Sequence, residues 1–161
     1  MNEDYISGYL EAISRVKDIL TPHVGGTNQF FEIPKNNEKL LLENIQNYII
    51  ENKDWYNKYP IQEILDKIKL IEIENWQENL EALISKWTCD HDLENINGKN
   101  GYYLSEYLID FLLKDLFKDK KVNAYKMLPD WGDWHWGDHM SEEYIFETDE
   151  KIFIMHFGES S

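Results

Sequence analysis

Residues 152–155, Ile-Phe-Ile-Met, set four large apolar side chains in a row. Successive side chains of a strand point to opposite faces, so a strand here is apolar on both. Such a strand escapes water only if it is covered on both sides or lies in the interior of a sheet. The neighbouring run 144–148 is also rich in β-formers, and Asp149-Glu150 between the two reads as a hairpin turn. Residues 122–128 read as a further strand.

The chain before residue 122 follows a different period. Tyr5, Ile6, Tyr9, Leu10, Ile13, Val16 and Leu20 recur at three- and four-residue spacing and predict a helix over 3–20. A loop over 23–34 follows, centred on Gly25-Gly26. A second helix is expected from Asn36 or Asn37, with Leu41, Leu42, Ile45, Tyr48 and Ile49 inward. Pro60 suits the first turn of a third, with Ile61, Ile64, Leu65 and Ile68 inward. Residues 69–74 fit a short strand or more helix, and both readings stay open. Asn75 with Glu78 resembles a capping box ahead of a fourth helix carrying Trp76, Leu80, Leu83, Ile84 and Trp87. Residues 88–101 read as polar loop. The fifth helix, 105–117, is expected to pack Tyr107, Leu108, Phe111, Leu112 and Leu116 inward.

Helices first and strands last predict an α+β fold: about five helices followed by a small C-terminal antiparallel sheet. The expected organisation is a single domain over 1–161, with a helical layer at about 3–121 and a β-rich layer at about 122–158.

Charge narrows the function classes. Sixteen Lys and Arg stand against 31 Asp and Glu, a net charge of −15, and Arg15 is the single arginine. Nucleic-acid binders neutralise phosphates with Lys and Arg, and this chain repels them. Anionic membranes are disfavoured for the same reason, and no apolar run approaches the ~18–20 residues that span a bilayer. A basic protein is the natural counterpart of such a surface. The start of the chain lacks the basic stretch and apolar run of a signal peptide, and Cys89 is the only cysteine. A cytoplasmic setting is expected.

The acidity is uneven. Residues 130–161 hold nine acids and one base, Lys151. The run 129–139 holds three of the six tryptophans, at Trp131, Trp134 and Trp136. Tryptophan dominates interface hot spots, and acids around it steer a basic partner. Asp130, Trp131, Asp133, Trp134, Trp136, Asp138, Glu142, Glu143 and Glu147 are therefore the candidate partner-binding residues.

The remaining constellations are poorer in chemistry. His135 and His139, four apart with Asp133 and Asp138 near, leave open a small metal-dependent enzyme. The exposed-tryptophan alternative is a ligand-binding module that stacks sugars. No zincin, phosphate-loop or Gly-x-Ser-x-Gly pattern occurs, so no catalytic residue, cofactor or metal site is assigned. His156, within an apolar run, reads as a satisfied sheet residue.

Small size, acidity, aromatic richness and the segment 130–150 together resemble the immunity proteins of bacterial polymorphic toxin systems, including contact-dependent growth inhibition. The resemblance implies a chain that binds a cognate toxin domain, often a basic nuclease, and occludes its active or substrate-binding site. It implies no catalytic residues, because such proteins act by occlusion.

Overall fold

In the computed structural model of the chain, the run 152–155 lies in an interior strand covered on both faces. The structure describes residues 2–21, 25–53, 60–97, 103–129 and 140–160. The order along the chain is α1 (Glu3–Leu20), β1 (Gly25–Ile33), α2 (Leu41–Glu51), α3 (Ile61–Lys67), β2 (Lys69–Glu72), α4 (Trp76–Ile84) and α5 (Asp90–Asn97). A helix over 104–116 follows, made of α6 (Leu104–Tyr107), a π-helical segment (Leu108–Leu113) and α7 (Lys114–Leu116). Strands β3 (Asn123–Leu128), β4 (Met140–Glu147) and β5 (Ile152–Ser160) complete it.

The five strands form one antiparallel sheet in the order β1-β5-β4-β3-β2. This corrects the expected arrangement of about five helices followed by a small C-terminal sheet. Two of the five strands come from the stretch read as the helical layer. Strand β1 occupies the expected 23–34 loop and pairs with β5 from Gly25↔Ser160 to Ile33↔Ile152. Strand β2 settles the open reading of 69–74 and pairs with β3 from Lys69↔Leu128 to Glu72↔Tyr125.

Polar composition hid β1. Gly, Asn and Gln are poor strand formers, and 25–29 holds four of them around Thr27. The strand forms because β5 supplies a full ladder and α1 lies against it. Asn28 donates its backbone N–H to Ser14 Oγ (3.0 Å), and Gly26 donates its own to Asp18 Oδ1 (2.8 Å). Gly26 lies against α1: a Cβ there would stand 3.4 Å from the Ser14 backbone, an ordinary van der Waals contact.

Each sheet face has its own core. Phe30, Ala124, Tyr144, Phe146, Phe153, Met155 and Phe157 pack with α1, α4 and the 104–116 helix. Ile33, Met127, Ile145, Ile152 and Ile154 pack with Ile45 and Ile49 of α2 and Ile64 of α3. Residues alternating along β5 thus feed two cores, as a strand apolar on both faces requires.

Helix ends follow local chemistry, with two corrections. Asn2 Oδ1 caps α1 by accepting from the backbone N–H of Asp4 (3.0 Å) and Tyr5 (3.3 Å). The second helix starts later than expected, because Asn36 instead closes a turn by accepting from the N–H of Glu38 (2.9 Å). Asn75 makes no side-chain cap; it sits in the left-handed region at φ 47° before α4. Helix α5 replaces part of the polar loop expected over 88–101.

Candidate functional site

The sequence-selected residues divide into three groups. Asp130, Trp131, Asp133, Trp134, Trp136 and Asp138 lie outside the described residues, as do His135 and His139. Their segment joins β3 to β4. Glu142 and Glu143, at the start of β4, are 4 % and 5 % exposed. Glu147 is half-buried and pairs with Lys35 at 3.2 Å. An acid steers a partner through solvent, so the burial of Glu142 and Glu143 corrects their assignment to a steering surface. Strand alternation turns the two to opposite sheet faces, into separate cores.

Glu142 is the hub of a buried polar cluster. Its Oε2 accepts from Trp87 Nε1 (2.8 Å) and from the Tyr144 hydroxyl (2.6 Å). Its Oε1 pairs with Lys86 and, at 3.5 Å, with Lys126. Burial pushes this carboxyl's pKa up. The hydrogen bonds from Lys86, Tyr144 and Trp87 and the charge of Lys126 outweigh burial and hold it below the ordinary 4.5. Trp87 stacks on Phe157 at 5.9 Å and 13°, and the Lys17 ammonium lies 4.9 Å from its ring centroid. Lys17 also pairs with Glu159 of β5. The cluster ties α1, the α4–α5 connection and strands β3, β4 and β5 together.

His156 is buried, with its Nδ1 2.6 Å from Glu143 Oε1 across the β4–β5 ladder. Among the described residues, no group of three or more His, Cys, Asp and Glu is placed to hold a metal ion. Cys89 is buried with its thiol pushed up to about 11, mainly by burial, so it is a poor nucleophile.

The helix over 104–116 presents a different surface. In its π-helical segment, hydrogen bonds span five residues instead of four. The inward residues are Leu108, Ile109, Leu112, Leu113 and Leu116. Tyr107 and Phe111, expected inward, are 39 % and 44 % exposed. Their rings stack at 5.1 Å and 29°, and Tyr9 of α1 joins them, 5.5 Å from Tyr107 at 32°. The Tyr9 hydroxyl donates to the Leu104 carbonyl (3.0 Å), which fixes this ring against the helix. Burial, then the charge of Asp90 and the Tyr107 hydroxyl, push the Tyr9 pKa far up, so it stays a protonated donor. Tyr5, one helical turn before Tyr9 on α1, is 62 % exposed.

The fold is similar to that of citrus MAF1. One crystal form of that protein (space group C 2 2 21) aligns with a TM-score of 0.52 and 15 % identity, covering 94 % of this chain and 99 % of that one. A second crystal form (space group P 31 2 1) gives a TM-score of 0.47 and 14 % identity, covering 95 % and 99 %. No protein-family model matches the sequence, and no curated protein does. At this identity the likeness concerns the fold alone.

Helical spacing pointed Tyr107 and Phe111 inward, but the buried set Leu108, Ile109, Leu112, Leu113 and Leu116 keeps helical spacing on the adjacent face. The signal that could have found it is the double reading of 107–113. Tyr107 with Phe111 and Ile109 with Leu113 are both apolar pairs at helical spacing, so two adjacent faces compete for the core. Acids share the two helices: Glu3, Asp4 and Glu11 lie on α1, and Glu106 and Asp110 on the helix over 104–116. Glu11 is paired with Arg15 and Asp110 with Lys114.

Proposed function

We propose that this chain is an immunity protein: it binds a cognate, basic toxin domain in the bacterial cytoplasm and occludes its active or substrate-binding site. The observation that carries the reading is the charge of the described surface. Exposed acids outnumber exposed bases there. Several bases are moreover engaged by acids of the chain itself: Lys17 by Glu159, Lys35 by Glu147, Lys86 and Lys126 by Glu142, and Lys151 by Glu32. A nuclease toxin holds its substrate with Lys and Arg, and carboxylates in place of phosphates occupy those groups. The acidic and aromatic run Asp130, Trp131, Asp133, Trp134, Trp136 and Asp138 remains part of the proposed contact surface, whereas Glu142 and Glu143 leave it. No helix among the described residues is long and apolar enough to cross a membrane, which is compatible with this setting.

The test is co-expression with the basic C-terminal domain of a secreted protein encoded beside this chain's gene. Growth should be restored, and the purified pair should form a complex whose association rate falls with added salt. Unrelieved toxicity in cells that accumulate the folded chain would refute the reading for that pair.

A further inference from the structure

We draw no further inference here: the strongest candidate, the outer edge of strand β2, which pairs with β3 on its other side and leaves Ile71 50 % exposed, carries no proposal because nothing in the structure shows what covers it.

Discussion

The face that 104–116 turns to the core makes a sharp prediction about which side chains hold the helix in place. Ile109 is 2 % exposed within the core that lies against Phe146 and Phe153. Truncating it to alanine removes a fully buried side chain, and such Ile→Ala changes cost about 2–5 kcal/mol. Phe111 keeps nearly half its surface in water. A phenylalanine buried outright contributes about 1.5–3 kcal/mol, so Phe111→Ala should cost about half of that, ~0.75–1.5 kcal/mol, with lost stacking on Tyr107 adding about 0.5 kcal/mol. The face expected from spacing, with Tyr107 and Phe111 inward, reverses the order: Phe111→Ala would then remove a core ring at about 3–5 kcal/mol. Leu112 is inward with either face and serves as the control, with Leu112→Ala expected at about 2–5 kcal/mol. Urea unfolding followed by tryptophan fluorescence and far-ultraviolet dichroism measures all three, with equal m-values required before midpoints are compared. If Phe111→Ala destabilises more than Ile109→Ala, Phe111 lies in the core and the exposed aromatic face is lost.

Three further outcomes follow from the buried groups and the charge. Glu142→Gln should destabilise the protein by about 1–3 kcal/mol at neutral pH, since Lys86 and Lys126 lose their carboxylate. The Glu142 carboxyl is held below 4.5 in the folded chain. Its contribution is therefore present above the unfolded value and fades as pH falls through the folded one. Melting curves of wild type and variant should converge in acid, and a gap that persists there would count against the pairing. Cys89, buried and with its thiol raised to about 11, should resist a thiol reagent at pH 8 until the chain unfolds; labelling at the rate of a free thiol would contradict its placement. The chain should not retard double-stranded DNA at moderate salt, given its charge of −15, and tight salt-sensitive binding would undo the charge argument.

Much of the candidate site was unreadable from sequence for a specific reason. The acids of β4 looked like rim charges because Glu142-Glu143 follow a polar, acidic run. Whether a carboxylate faces water depends on what other segments bring to it. Lys86 and Trp87 come from the α4–α5 connection, 55 or more residues earlier, and no local pattern announces that meeting. His156 was legible as a satisfied sheet residue, since its apolar neighbours left it little else to be, but its partner Glu143 is fixed only by the β4–β5 register.

The sequence by itself determined the elements whose apolar period is strong and whose ends carry their own signals. Helix α1 runs over Glu3–Leu20 as its spacing predicts, α3 begins directly after Pro60, which stands at its N-cap, and the β4–β5 hairpin turns at Asp149-Glu150. It also determined that 152–155 must be covered on both faces, because four consecutive apolar side chains admit no solvent-facing side. Tertiary structure alone decided how that cover is supplied. Strand β1 is too polar to declare itself and exists through the ladder β5 offers and the backbone contacts of α1. Strand β2 is four residues long and takes its identity from β3. The 104–116 helix contains two apolar faces of comparable strength, and only packing against the sheet selects between them. Local sequence fixes a residue's preferred period; which face meets the core depends on long-range contacts, and those leave Tyr107 and Phe111 on the surface.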